Sequence, residues 1–318
     1  MSETVDQLQW IENALHQILL QGIAEHVMID VGAHHGTSIE PFLNAGWRGI
    51  AFEPMEHNRQ CMTERLGQYP GLSIRPEAVS DRTSMKELQT ALHIDGTLHE
   101  FHHSFEDFRT DPWHTKGPKV EIPAVSLDDL VQRGEIPQRV GFLKIDTEGH
   151  DLAVLRGASQ IECEVVSVEF WNDEHAFGPS HSPAAAMQQL LKERGFEQFI
   201  AVTHFLDQTE LFYSTLCGIR PKAWGNLIFF HESRSDLYKM LRRDPNWKMV
   251  VHQSQTIGHL NTQLREKQAV IEQLSVAAAE RLKVIEQLSD IAAERLKVIE
   301  QRSGRSPRLA RRWLPWRS

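Results

Sequence analysis

Cysteine is scarce in this chain. Cys61, Cys163 and Cys217 are the only three in 318 residues, an odd number without C-x-x-C spacing, so neither a disulfide framework nor a cysteine zinc site is expected and a reducing compartment fits. No apolar run nears the roughly 18 residues that span a bilayer, and no basic segment followed by an apolar core stands at the start. Export by a standard signal peptide and an integral membrane placement are therefore not expected, and a cytoplasmic location is. Basic charge is sparse outside the end of the chain. The net charge is −9, yet residues 302–318 hold six arginines and no acid, which leaves the body acidic. Such a body lacks the basic footprint that nucleic-acid binding requires. With 41% hydrophobic and 24% charged residues, the composition supports at least one globular domain.

A further absence is more specific. Val27 to Val31, VMIDV, reads as a strand buried on both faces of a parallel sheet, and GAHHG follows it as a glycine turn. Gly32 and Gly36 let the backbone turn sharply, and Thr37 or Ser38 is positioned to cap a following helix. A dinucleotide fingerprint needs G-x-G-x-x-G, and its second and third glycines are missing, at His34 and Thr37. Asp30 at the strand end disfavours a phosphate and favours a cationic ligand, such as the methionine end of S-adenosylmethionine. A second strand, RGIAFE, ends at Glu53, 23 residues beyond Asp30, near the offset at which a carboxylate meets ribose hydroxyls. Pro54 stops it.

Along the chain, residues 4–20 carry a helical apolar stripe, expected to pack on the sheet edge. A helix tolerating Pro41 in its first turn follows the glycine turn, and another covers 56–66. Pro76 inside LSIRPEAVS demotes 72–80 to an edge strand or a bulge. From 81 to 123 the pattern loosens into a small hairpin or a cover rich in histidine and aromatics, among them His99, Phe101, His102, His103, Phe105, Phe108 and Trp113. SLDDLV, 126–131, reads as a capped helix. Phe142 to Asp146 is a strand ending in an acid, and Thr147, Glu148, Gly149, His150 and Asp151 turn it into a helix. Further strands are expected at 165–170, 196–202 and 225–230, with a helix at 183–194. Alternating strands and helices with late antiparallel character make a three-layer sandwich.

Beyond 232 the pattern changes. VIEQLSVAAAERLK (270–283) returns as VIEQLSDIAAERLK (284–297), a fourteen-residue repeat equal to two heptads. Ile271, Ala278, Ile285, Ala292 and Ile299 occupy one core position and Leu274 and Leu288 the other, which reads as a coiled coil serving self-association or a partner protein. Arg281 and Arg295 interrupt the second position, and Leu282 and Leu296 widen the stripe, so a plain dimer does not follow. The tail, SGRSPRLARRWLPWRS, combines arginine with tryptophan, a composition suited to the anionic inner face of a membrane.

The residues DVGAHHG, AFEP, SLDDL and FLKIDTEGHDLAVLRGA, followed by VEF, resemble the FkbM-type methyltransferases over about residues 27–230. The resemblance implies a class I methyltransferase fold: a Rossmann-like α/β three-layer sandwich with a seven-stranded, mostly parallel sheet, here followed by a long C-terminal helix or coiled coil. The implied organisation is an N-terminal helix packed on the catalytic domain (1–25), the FkbM-type domain (26–232, with 81–123 a lid or insertion), a linker (233–256), the coiled coil (257–301) and the basic tail (302–318). It implies S-adenosylmethionine as cofactor and a hydroxyl-bearing acceptor, often a sugar, glycan or natural product. Carried over by position, Asp30, Gly32 and Gly36 would hold the methionine end, with His35 beside them. Glu53 would meet the ribose next to Pro54, and Ala78 to Ser80 the adenine. Asp146, Glu148 and His150 would line the transfer site.

Methyl transfer asks the protein to align the acceptor and take its proton. A histidine suits that role near neutral pH, whereas a glutamate needs burial, and Glu148 and His150 rank equally. No metal is expected; a metal-assisted variant would use Asp146 with Glu169, Asn172 or Asp173. Two competing readings are a nicotinamide oxidoreductase, opposed by the missing glycines, and a non-catalytic scaffold displayed by the coiled coil, opposed by the retained strand-end acids.

Overall fold

The computed structural model describes residues 2–99, 103–106, 114–172, 182–205 and 208–303, with side chains described from Trp10 onward except those of His114 and Ser303. The elements run α1 (Ser2–Leu19), β1 (Val27–Val31), α2 (Glu40–Asn44), β2 (Arg48–Phe52), α3 (Glu56–Leu66), β3 (Leu72–Arg75), β4 (Ala78–Val79), β5 (Ser84–His93) and β6 (His114–Val125). They continue as α4 (Leu127–Gln132), β7 (Arg139–Ile145), α5 (Asp151–Arg156), β8 (Glu162–Trp171), α6 (Ala184–Lys192), β9 (Gln198–Phe205), β10 (Gln208–Tyr213), β11 (Trp224–Phe230), α7 (Ser235–Arg243) and α8 (Pro245–Ser303). Two compact units divide the chain, Met1–Gly258 and His259–Ser318.

The first unit is built on an eight-stranded sheet of order β10-β9-β11-β8-β7-β1-β2-β3. From β3 to β8 neighbouring strands pair in parallel, and β8, β11, β9 and β10 pair antiparallel. The expected seven strands become eight because QTELFY (208–213) hairpins back along β9. Its period-two signal is obscured by the contiguous Leu211, Phe212 and Tyr213. Every residue of β1 is buried, as a strand covered on both faces requires. Ile29, Val31, Leu143 and Ile145 face α4, α5 and α6, packing with Leu127, Val154 and Met187. Met28 and Phe142 face the other layer, where Ile11, Leu15, Phe42, Met62, Leu241 and Trp247 close the core.

Three local expectations are corrected. The N-terminal helix covers the sheet face rather than its edge, because Ile11, Leu15 and Leu19 are buried and His16 packs edge-on against Phe42 and Phe142. Thr37 and Ser38 do not cap α2. The Gly36 amide donates to Ala33 O at 2.7 Å, and the turn runs on to an N-cap at Ile39 that makes no side-chain bond. Residues 233–256 are not a linker: Leu237, Tyr238, Leu241, Trp247 and Val250 are buried at helical spacing. The start of α8 is instead marked by Asp244, whose Oδ1 accepts from the Asn246 and Trp247 amides, ahead of Pro245 in the first turn.

Pro76 separates β3, at the edge of the large sheet, from β4, which joins β5 and β6 in a second sheet of order β4-β6-β5. β5 and β6 thus pair antiparallel along their length, and Ser104, between them in the chain, pairs back to Gln89. SLDDLV is capped as read, the Ser126 hydroxyl accepting from the Asp129 amide at 3.0 Å. No helix among the described residues is long and apolar enough to cross a membrane. Phe101, His102, Phe108, Trp113, Asp173 and the tail from residue 304 lie outside the described residues. In the second unit α8 continues to Ser303, with Leu274, Ile285, Leu288 and Ile299 about 60% exposed or more.

Candidate active site

A cavity of about 400 Å³ opens at the carboxyl ends of β1, β2 and β7, where open α/β sheets place their ligands. It is built around the turn after β1. Gly32 has φ +77°, and a Cβ there would stand 1.8 Å from Asp146 O, so only glycine lets the β1 and β7 ends approach this closely. The Gly32 and Ala33 amides donate to Phe52 O, both at 3.0 Å, tying the turn to β2. His34, at φ +48°, completes the turn in the left-handed region despite its side chain.

Glu53 holds that conformation. Its Oε2 accepts from the His34 amide at 2.9 Å and its Oε1 from the Met55 amide at 2.8 Å, while Arg59 donates to the carbonyls of Glu53 and Pro54. Burial raises the Glu53 pKa and the amide donors oppose the rise. At the rim the rings of His34 and His35 stack at 3.7 Å. Burial, with His35 alongside, pushes His34 down to about 4, so it is neutral at physiological pH.

Beneath this wall lies a buried charge cluster. Asp30 and Lys144 are register partners across β1 and β7, and Lys144 Nζ donates to Asp146 Oδ2 at 2.7 Å. Neither Asp30 oxygen has a hydrogen-bond partner among the described residues, and burial pushes its carboxyl up to about 6, with Lys144 working in the opposite sense. Glu12 of α1 joins the cluster, accepts from the Asn226 side-chain amide and is pushed up to about 7 by burial. The burial of Lys144 is outweighed by Asp146, Asp30 and Glu12, which together hold its ammonium charged.

The loop after β7 forms the other wall. Asp151 is fully buried and organises it, accepting from the Thr147 amide at 3.1 Å and the Gly149 amide at 3.2 Å. Glu148 sits in this loop at φ +53°, and its carbonyl accepts from the Ser104 hydroxyl at 2.7 Å. His150 is engaged on both ring nitrogens: Nδ1 lies 2.6 Å from Glu106 Oε1 and Nε2 2.8 Å from Ser80 Oγ. A carboxylate accepts, so Nδ1 donates to Glu106, while the one proton of the Ser80 hydroxyl is shared between His150 Nε2 and Asp81 Oδ1, which lies 3.0 Å away. Ser80 in turn accepts from Lys86 Nζ at 2.6 Å. Behind the loop, burial and the charges of Asp146, Glu148 and Asp151 raise Glu169 well above the usual carboxylate range.

Of the residues singled out in the sequence, Gly32, His35, Glu53, Pro54, Ala78, Asp146, Glu148 and His150 line the one cavity. Asp30, Gly36 and Ser80 do not line it. Asp30 acts from below through Lys144, Gly36 abuts Leu66 and Met62, and Ser80 reaches the site only through His150. Among the described residues no group of three or more His, Cys, Asp or Glu side chains is placed to hold a metal ion. The sequence reading missed Glu12, Asn13, Lys144, Asn58, Ser104 and Glu106. Lysine in an otherwise apolar buried strand was a signal for Lys144; Glu12 and Glu106 reach the site only through tertiary packing.

The methyltransferase FkbM domain model matches residues 30–197, more than half of the chain. The chain belongs to the FkbM methyltransferase family. Solved structures similar to this FkbM-family chain include methyltransferase FkbM from Methylobacillus flagellatus KT, with 17% identity, 65% of this chain and 44% of that chain covered, and a TM-score of 0.39. Another is magnesium protoporphyrin IX methyltransferase from Synechocystis PCC 6803 with bound SAM, at 10% identity, 73% and 85% coverage and a TM-score of 0.39. A SAM dependent methyltransferase from Aquifex aeolicus matches at 11% identity, 72% and 93% coverage and a TM-score of 0.37. This chain thus spans under half the length of the first of the three. No curated protein matches.

Proposed function

We propose that the cavity binds S-adenosylmethionine and that the chain transfers its methyl group to a hydroxyl oxygen of a sugar, glycan or natural-product acceptor. The observation that carries this reading is the convergence on one cavity of the Gly32 turn, the Glu53 carboxylate and the Asp146–Glu148 loop. Its volume of about 400 Å³ is that of a small-molecule site. The orphaned Asp30 carboxylate and the acids around Lys144 provide a negative field at the methionine end, suited to an ammonium and a sulfonium. Glu53 uses its oxygens on two backbone amides and keeps lone pairs for ribose hydroxyls. Ala78, Val79, Leu88 and Phe52 give an apolar wall for the adenine.

When bound, the cofactor supplies an electrophilic methyl carbon. The chain's part is to hold the acceptor oxygen in line and to take its proton. Glu148 is the better candidate for that base, because it lines the cavity in a left-handed backbone conformation fixed by Gly149 and by Ser104, an outlier of the kind retained at functional positions. His150 serves instead to position the loop, since Nδ1 is committed to Glu106 and Nε2 to Ser80. The hairpin segment at 103–106 thereby closes one side of the acceptor's space. Incubation with S-adenosylmethionine and a panel of saccharides and hydroxylated small molecules should give a product one methyl heavier by mass spectrometry, with the methyl on oxygen by NMR. Methylation of nitrogen or carbon only would contradict the oxygen assignment, and absence of turnover with every acceptor class would contradict the hydroxyl reading.

A further inference from the structure

The second unit poses a problem that the catalytic reading does not touch. Along α8, Ile271, Leu274, Leu282, Ile285, Leu288 and Ile299 are each 57–65% exposed among the described residues, a long apolar stripe on one helix. Its charges indicate the occupant. Lys267 and Glu272, Arg281 and Glu286, and Arg295 and Glu300 recur every fourteen residues, always five positions apart with the base first. Within one helix, neighbours on a face are three or four apart, so a spacing of five does not place the partners together. Between parallel helices in register, it is the spacing of a g residue and the e residue of the next heptad on the neighbouring helix.

Setting the bases at g and the acids at e fixes the remaining register. Ile271, Ala278, Ile285, Ala292 and Ile299 become d residues, and Leu282 and Leu296 become a residues. Arg281 and Arg295, which interrupted the core when Leu274 and Leu288 were read as core positions, move to the rim. Leu at a with Ile at d shifts the preference from two strands to three or more. Leu274 and Leu288 now fall at g, beside the small Ser275 and Ser289 at a, and need an assembly wider than a pair to be covered. Each added strand widens the buried arc of every helix, and a fourth would draw the g arginines and e glutamates out of water.

We propose that residues 264–302 of α8 associate with two further copies of this chain in a parallel, in-register, three-stranded coiled coil whose register is set by Lys267–Glu272, Arg281–Glu286 and Arg295–Glu300 pairs between copies.

The test uses the full chain in sedimentation equilibrium at physiological salt. The expected mass is three times the chain mass of 36.5 kDa. An Arg281→Glu/Arg295→Glu chain should weaken association at least tenfold, as should a Glu286→Arg/Glu300→Arg chain. An equimolar mixture of the two chains should recover association only in part, because a 2:1 trimer satisfies two of its three g–e interfaces and keeps like charges at the third. Parallel register is read from Ser275→Cys in a Cys61→Ser/Cys217→Ser background, where position 275 should oxidise to position 275 of another copy, with Ser289→Cys behaving alike. Circular dichroism confirms that each variant keeps its helix, so that lost association is not lost folding. A monomeric or dimeric wild-type chain, charge reversal without effect, or failure of both cysteine variants to cross-link would each overturn the proposal. Because mass and cross-linking are read without cofactor or acceptor, the outcome is independent of the methyl-transfer reading.

Discussion

The two ends of the central sheet each carry a cavity, and the larger of the two is at the end away from the residues proposed for methyl transfer. At the amino ends of β7 and β8 the cavity measures about 760 Å³, against about 400 Å³ at the carboxyl ends. At the amino end several charged groups on the wall have partners within the protein. Glu164 accepts from the Ala24 and Glu25 amides and pairs with Arg234, Arg139 pairs with Glu162, and Arg194 donates to the carbonyls of Leu155 and Ala158. At the carboxyl end the buried Asp30 carboxylate has no hydrogen-bond partner among the described residues, six carboxylates (Glu12, Asp30, Asp146, Glu148, Asp151 and Glu169) crowd around one buried lysine and the loop after it, and two non-glycine residues adopt left-handed backbone conformations. Volume alone does not mark a site; charge that the fold leaves unbalanced does.

The sharpest way to break this contrast is at the base. Glu148→Gln should lower kcat by roughly 100- to 10,000-fold while cofactor affinity, read by calorimetry, stays within about threefold, because Asp151 holds the loop's Thr147 and Gly149 amides. A kcat within threefold of wild type would transfer the role to another group. Next is the turn. Gly32→Ala must combine left-handed strain with a clash against Asp146 O and should cost about 3 kcal/mol in chemical denaturation. Gly46→Ala has the same sign of φ, +81°, and open space around it, and should cost only about 1 kcal/mol. Equal losses would mean that strain, and not the close approach of β1 and β7, sets the requirement.

At the opposite end, Glu164→Ala should cost about 2 kcal/mol by leaving two amides and Arg234 without their acceptor, with no change in cofactor affinity. Reduced affinity there would couple the two ends. The last prediction concerns pH. The folded chain holds His16 down at about 3 by burial, while the unfolded chain binds that proton near pH 6.5. Below about pH 6.5 the unfolded state therefore takes up the extra proton, and His16 erodes stability by about 1.4 kcal/mol per pH unit until pH nears 3. Asp30 and Glu12, raised to about 6 and about 7, act in the opposite direction between roughly pH 4 and 7. His16→Leu should thus flatten the acid side of the thermal stability profile, and an unchanged slope from pH 6.5 to 5 would show that His16 is protonated in the folded state.

How much of this was legible in the sequence depended on whether the determinant was local. VMIDVG, RGIAFEP and FLKIDTEG announce strands and turns within a few residues, because a buried parallel strand is a continuous apolar run and a left-handed turn calls for glycine. These stretches meet at the cavity. Glu12 and Glu106 reach the site across 132 and 44 residues of chain, to Lys144 and His150 respectively, and no short-range pattern marks such a meeting. Asp30 looked like a ligand contact because strand ends open onto the crevice. It is instead a buried residue of β1, one position short of the rim, so its effect passes through Lys144. The tail of the first unit was misread for a related reason. DLYKMLRRDPNWK is polar on average, and its buried Leu237, Leu241 and Trp247 are too few to stand out until the sheet face they cover is present.

The most direct test is calorimetric titration of S-adenosylmethionine, with NAD as control, into the wild-type chain and a Glu53→Gln variant checked for fold by circular dichroism. The account predicts saturable binding of S-adenosylmethionine to the wild type, at least tenfold weaker binding to the variant, and no heat of binding from NAD. Absence of S-adenosylmethionine binding to the folded wild type at millimolar ligand, or equal affinity in the variant, would contradict the assignment of this cavity as the cofactor site.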